Sequence, residues 1–200
     1  MPIDDFSSLF PRDLCQVSRH LFLNKNELLF QRGTVATELF FVLSGELVAL
    51  RTQLDGKLAI MLRARASEFF AEAALFSHHY DCDGFSYTAT EVLAFPIPFF
   101  REILGREANF ALNFIQSQTR RLRRQCLRQE RLNLKKAHER VLHLLTCEAE
   151  ADGWLRWNGS IRTLAEELAL DPATLSRTLN TLERSGQIRR QGHWLAQIYT

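Results

Sequence analysis

Residues 160–188 read SIRTLAEELALDPATLSRTLNTLERSGQI, and the punctuation inside this run decides how the C-terminal part of the chain folds. Ser160 offers a hydroxyl to cap a helix running to about Leu168, with Ile161, Leu164, Ala165 and Leu168 on one face. A short break follows at Ala169-Leu170. Asp171 is then a second capping acceptor, and Pro172 takes the first helical position, where a missing N–H costs nothing. A second helix therefore starts sharply there and ends at Gly186. Leu175, Leu179 and Leu182 recur at helical spacing and turn inward, which leaves Ala173, Ser176, Arg177, Asn180 and Arg184 outside. Two short helices with a brief break between them, the second carrying small and polar outward residues, make a helix-turn-helix. The second helix of such a pair enters the major groove, where Arg177 can pair with guanine O6 and N7, a contact worth about 1–3 kcal/mol of discrimination. Ser176 and Asn180 are placed to read neighbouring edges, while Arg162 and Thr174 complete the expected set of DNA contacts. Just beyond, Ile188 to Leu195 (IRRQGHWL) reads as a hairpin whose charged tip serves as a wing against phosphate. Outward arginines on helix pairs also occur in ordinary bundles, so the pattern gains its weight from the wing and from what lies upstream.

Upstream, residues 137–149 carry Val141, Leu142, Leu144 and Leu145 on a helical face. Trp154 to Trp157, Asn158-Gly159 and Ser160-Ile161 suggest a short hairpin with a type I′ turn. Residues 106–147 contain neither glycine nor proline and are rich in leucine, arginine, glutamine and glutamate, which is helical composition. Leu104, Ala108, Ala111, Ile115, Gln118, Leu122, Gln125, Gln129 and Leu132 alternate at spacings of four and three, the heptad period of a two-helix seam. A helix over residues 106–134 is about 43 Å long, more than a domain of about 100 residues covers. A second copy of the helix would bury the seam, with Gln118, Gln125 and Gln129 setting register; docking on its own barrel through Phe110 and Phe114 is the other covering, and both can hold together. The run Arg120-Arg121-Leu122-Arg123-Arg124 flanks this seam as a solvated helix face.

Residues 27–95 break into short apolar stretches, Leu28 to Phe30, Leu39 to Leu43, Leu47 to Leu50, Leu58 to Leu62 and Val92 to Phe95, punctuated by Arg32-Gly33, Ser44-Gly45 and Asp55-Gly56. That rhythm predicts an antiparallel sandwich or barrel. The fold class is thus α+β, with residues 1–105 a β-roll of jelly-roll type, 106–136 a dimerisation helix and 137–200 a winged helix-turn-helix.

Of the 200 residues 46% are hydrophobic, ample for real cores, and the longest apolar run (92–100) holds two prolines and is too short to span a membrane. Nothing at the start resembles a secretory signal, so a cytoplasmic location is expected. The net charge of +2 hides a distribution: 8 basic and 12 acidic residues over 1–100, 10 and 3 over 101–136, 7 and 8 over 137–200. Cysteines at 15, 82, 126 and 147 have no metal-binding spacing, and His138, Glu139 and His143 miss a zinc-protease motif because the histidines are five apart. With no nucleophile beside a base and no phosphate loop, neither an enzyme nor a metal site is expected.

The order of roll, long helix and winged helix-turn-helix resembles the cyclic-AMP receptor and fumarate-nitrate regulator (Crp/Fnr) family of bacterial transcription factors. The resemblance runs from about Leu28 to Ile198. It rests on Leu29 to Gly33, Leu39 to Gly45, Phe69 to Phe76 (FFAEAALF), and above all Thr174 to Leu179 (TLSRTL) with Leu182-Glu183. It implies a homodimer on double-stranded DNA, a near-palindromic operator, an effector pocket in the roll and contact with RNA polymerase.

The departures shape the expectations. Cyclic-nucleotide-binding members carry a glycine before the pocket glutamate and an Arg-Ser or Arg-Thr pair at the phosphate. Here Glu72 is kept, Ala71 replaces the glycine and Cys82-Asp83 stands at the pair. With a neutral thiol in place of the cation, Asp81 and Asp83 repel a phosphate anion, and the adenine-contacting hydroxyl pair becomes Gln125-Cys126, so no ordinary cyclic-AMP response is expected. Cys15 stands without the amino-terminal cluster that would hold an iron-sulfur centre. The alternatives within the family are a haem sensor using His78, His79 and Cys82, and a redox-controlled or constitutive regulator with Cys82 or Cys126 as the switch. In the reading helix Pro172-Ala173 replaces a charged pair, which leaves the guanine contact to Arg177 and lets Ala173 meet a thymine methyl.

Overall fold

The computed structural model describes residues 9–53, 56, 58–157 and 160–198. The chain forms two compact units, Met1–Ser117 and Gln118–Thr200. All 15 phenylalanines fall in the first and all 3 tryptophans in the second.

In the first unit a short helix, α1 (Arg12–Val17), precedes eight strands: β1 (Arg19–Leu23), β2 (Leu28–Phe30), β3 (Glu38–Ser44), β4 (Glu46–Thr52), β5 (Leu58–Arg65), β6 (Phe69–Phe70), β7 (Asp83–Ser86) and β8 (Thr90–Pro96), with a 3-10 turn at Glu72–Phe76. They form two four-stranded antiparallel sheets, in the orders β1-β8-β3-β6 and β2-β7-β4-β5. The sequence reading finds five of these strands. It misses β1, β6 and β7, which are short or lack a long apolar run.

Strand β3 shows why its sequence is continuously apolar rather than alternating. Phe40 pairs with Phe70 across to β6, and Phe41 with Phe69. Phe40 and Phe70 meet Phe30 of the opposite sheet, whereas Phe41 and Phe69 turn outward onto Phe10. Helices cover that outer face: Phe100 of α2 (Ile97–Arg106) and Phe114 of α3 (Ala108–Asn133) lie 5.7 and 4.9 Å from the Phe69 ring, and Phe110 lies 5.5 Å from that of Phe100. A strand buried on both faces needs apolar side chains on both. Phe110 and Phe114 therefore dock as the second covering anticipated.

One expected boundary is corrected. The helix read as starting at Arg106 is two helices, broken at Glu107 (φ −104°, ψ 85°). Leu104 belongs to α2 and drops out of the seam, Ala108 opens α3, and α3 ends at Asn133. Gly105, a poor helix former, sits beside the break. Arg121 is a second correction: it is buried at 8% exposure, whereas Arg120, Arg123 and Arg124 are exposed as anticipated.

The second unit contains the rest of α3, then α4 (Ala137–Glu148), β9 (Trp154–Arg156), α5 (Ile161–Glu167), α6 (Pro172–Arg184), β10 (Ile188–Gln191) and β11 (Trp194–Gln197). Val141, Leu144, Leu145, Leu164, Leu175, Leu179, Leu182, Ile188 and Leu195 make its core. The hairpin expected over residues 154–161 does not form: β9 pairs with β11 instead, and Ser160-Ile161 opens α5. Its supposed turn, Asn158-Gly159, lies outside the described residues.

Two arginines bind these pieces together. Arg131, fully buried in the last turn of α3, pairs with Glu148 of α4 and lies 3.7 Å from Glu167 of α5. Burial pulls its pKa down and Glu167 opposes the shift. Arg140 of α4 donates to the carbonyls of Leu134, Leu168 and Ala169. It thereby satisfies oxygens that α5 leaves open where Ala169 turns left-handed (φ 49°).

Candidate nucleic-acid interface and effector region

The geometry of α6 follows from its ends. Asp171 accepts from the Thr174 N–H at 2.8 Å, and these Thr174 hydrogen bonds, the side chain's first, hold the carboxyl below its usual range. Pro172 follows in the first turn. Ser160 caps α5 in the same manner, accepting from Thr163 N. With both helix starts fixed by local chemistry, Leu175, Leu179 and Leu182 are buried to 2% exposure or less. Ala173, Ser176, Arg177, Asn180, Thr181 and Arg184 face solvent, and Thr174 is half-buried.

Arg177 is exposed, and its guanidinium donates to Thr174 Oγ1 at 3.2 Å, one turn back on the same helix. Arg162, on the exposed side of α5, lies 3.5 Å from Glu166. A shallow cleft beside α6 is lined by His138, Thr174, Arg177, Thr178, Thr181 and Gln187. Sequence reasoning places neither His138, Gln187 nor Thr181 at this surface. Their signal is spatial: the start of α4 and the residue after Gly186 come together only in the fold.

The wing forms, with β10 and β11 antiparallel around a Gly192-His193 turn. Its charges divide in a way the sequence did not anticipate. Arg189 is exposed and makes no ion pair among the described residues. Arg190 turns back to α6, its Nε donating to Glu183 Oε2 and its Nη2 to Asn180 Oδ1, each at 2.8 Å. By strand alternation Arg190 falls on the same side of β10 as buried Ile188, and it is itself exposed. Both arginines are exposed, and Arg190 is paired with α6 as well.

In the first unit, Ala71 adopts the left-handed conformation (φ 65°, ψ 24°) just before Glu72 and the 3-10 turn. Cys82 is half-buried. Burial pushes its thiol pKa up, and Asp81, Asp83 and Glu72 push it further, while Arg51 opposes them. Glu72, Cys82 and Asp83 thus share one electrostatic neighbourhood. Asp83 has a structural partner, accepting from the Arg32 backbone N–H at 2.7 Å.

Arg51 is the residue that sequence reasoning missed. The β4–β7 register pairs Leu50 with Asp83, and Arg51 donates to the Asp81 carbonyl at 3.0 Å. Only a cross-strand register could have revealed it. His78 and His79 are exposed in the same region. Gln125 and Cys126 belong to the second unit and are exposed on α3. Among the other seam positions, Ile115 and Leu122 are 58% and 61% exposed, Gln129 is exposed, and Ala111 and Gln118 are half-buried.

Residues 20–107 match the cyclic nucleotide-binding domain family. No curated protein sequence matched the chain significantly. Solved structures are similar in fold over nearly its whole length. A variant of CooA from Carboxydothermus hydrogenoformans is 19% identical, with 97% of this chain and 89% of that one covered and a TM-score of 0.70. FixK2 from Bradyrhizobium japonicum is 20% identical over 92% and 93%, with a TM-score of 0.62. A CRP-family transcriptional regulator from Thermus thermophilus is 18% identical over 90% and 92%, with a TM-score of 0.55.

Proposed function

Starting from a chain that has the Crp/Fnr fold and carries a cyclic nucleotide-binding domain over residues 20–107, we propose that it is a sequence-specific DNA-binding transcription regulator and not an enzyme. The observation that carries this reading is the solvent face of α6. Ala173, Ser176, Arg177 and Asn180 project from one side of a capped helix whose other side, Leu175, Leu179 and Leu182, is core. A wing lies beside it, with Arg189 available to phosphate.

The protein acts as a homodimer in this reading. Leu112, Ile115 and Leu122 are exposed on α3 at 58–63%, and a matching helix would bury them along the seam of Ala111, Ile115, Gln118, Leu122, Gln125 and Gln129. Two reading helices then sit about 34 Å apart, so the operator is a near-palindrome. RNA polymerase is the expected protein partner. Residues 1–105 sense an effector, 106–136 join the copies and 137–200 bind DNA. Control is a shift of population between helix pairings that do and do not set the operator spacing. Selection of bound duplexes from random DNA tests the reading: a half-site repeated in inverted orientation is expected, and recovery of no consensus overturns it.

Cyclic AMP is not the ordinary effector. The thiol of Cys82 is held neutral where the resemblance expects the phosphate cation, between the carboxylates of Asp81 and Asp83, and Arg51, which opposes their charge there, donates to the Asp81 carbonyl. Calorimetric detection of micromolar cyclic-AMP binding would refute this. The same raised thiol argues against Cys82 as a redox switch, because the thiolate is the reactive form. A colourless protein after purification would dispose of haem at His78, His79 and Cys82.

A further inference from the structure

Arg190 decides which base edges Asn180 can read. An asparagine that recognises adenine uses both ends of its amide, the oxygen accepting from N6 and the nitrogen donating to N7. Asn180 has one of the two lone pairs of its amide oxygen already taken. Arg190 has only donors, so the amide atom it meets at 2.8 Å is the oxygen, whatever the operator. Arg190 in turn donates to Glu183 through Nε and Nη2, an ion pair between two partly exposed side chains. The guanidinium thus meets both Glu183 and Asn180 before any DNA arrives, and the Asn180 NH2 is the end that it does not touch.

We propose that Arg190 is a positioning residue that occupies the Asn180 amide oxygen in part and so favours donation by its NH2, biasing its base position toward guanine or thymine over adenine. The major-groove edge of guanine presents N7 and O6 as acceptors, and thymine presents O4; adenine adds a donor at N6 that must share the amide oxygen with the Arg190 guanidinium. Arg177, which has donors alone, shares the bias toward acceptor edges. The proposal rests on the reading of α6 as the base-contacting helix.

The experiment is selection from random duplexes, followed by sequencing, with the full-length protein and three variants. Asn180→Ala identifies the base position concerned, as the one whose preference vanishes. At that position the unaltered protein should hold guanine or thymine. Arg190→Met should raise adenine there about tenfold, within the range of a paired base contact, and leave the position read by Arg177 unchanged. Glu183→Gln, which loosens the anchor without touching Arg190, should move the preference the same way by less. Affinity for a random duplex and the tryptophan-monitored melt confirm that each variant is folded. Adenine already preferred by the unaltered protein, no change with Asn180→Ala, or the same preference in both anchor variants overturns the proposal while a consensus lost with Arg177→Ala still supports the parent reading. Absence of any consensus removes both.

Discussion

Replacing Arg177 by alanine separates base reading from general attraction to DNA. The side chain is exposed, and its hydrogen bond within the fold goes to Thr174 Oγ1 on the same helix, so truncation should cost the folded unit at most about 1 kcal/mol. A guanine contact is worth about 1–3 kcal/mol, and a dimer on two half-sites loses it twice, about 2–6 kcal/mol in all. Affinity for the selected operator should therefore fall by about 30-fold at the least and by 10⁴-fold or more at the top of that range. Affinity for a random duplex should change little. The measurement is fluorescence anisotropy on both duplexes across a salt series. A base-bound arginine leaves the slope of log K against log salt nearly unchanged, whereas each lost phosphate contact lowers it by about 1. An equal loss on both duplexes, with a shallower slope, would show that Arg177 serves phosphate and that the α6 face has been misread.

Three further outcomes follow from packing and charge. Gly45 has φ +84°, and an added Cβ would sit 2.3 Å from the Ala89 carbonyl oxygen; Gly45→Ala should destabilise the roll by about 2–5 kcal/mol, read as a lower calorimetric transition for that unit alone. Leu179 is 1% exposed in the core beneath α6; Leu179→Ala should cost about 2–5 kcal/mol, seen in urea by tryptophan emission, and a loss below about 1 kcal/mol would contradict the packing described. Asp171 has a folded pKa below its ordinary value, so its stabilisation of α6 is complete above the carboxylate range and disappears as pH falls through the folded value. Hydrogen-exchange protection at the start of α6, taken relative to the intrinsic rate at each pH, should accordingly fall on acidification, and Asp171→Asn should abolish that dependence.

What could be read from residue order was whatever local chemistry fixes. Ser160 and Asp171 announced α5 and α6 because a cap acts within three residues, and the leucine spacing then oriented α6 without further help. The seam of α3 was visible as a period, but not the break at Glu107, where Gly105 was the sole hint. The hairpin at 154–161 was misread because β9 finds its partner some forty residues away, in β11. Arg51, Arg131 and Arg190 looked like any surface arginines. Their roles depend on a strand register, a buried junction of three helices and a strand face, none of which has a signature along the chain.

The sequestered guanidinium of Arg131 has a mechanical meaning. It joins the last turn of α3 to α4 and α5 through two partly exposed carboxylates, and stripping the buried guanidinium of both would leave an uncompensated charge inside the protein, at a cost of several kcal/mol. The end of α3 therefore cannot twist or slide against the helix-turn-helix as a loose joint would. A rotation of that end of α3 about its own axis is passed on to α4 and α5 through the same guanidinium.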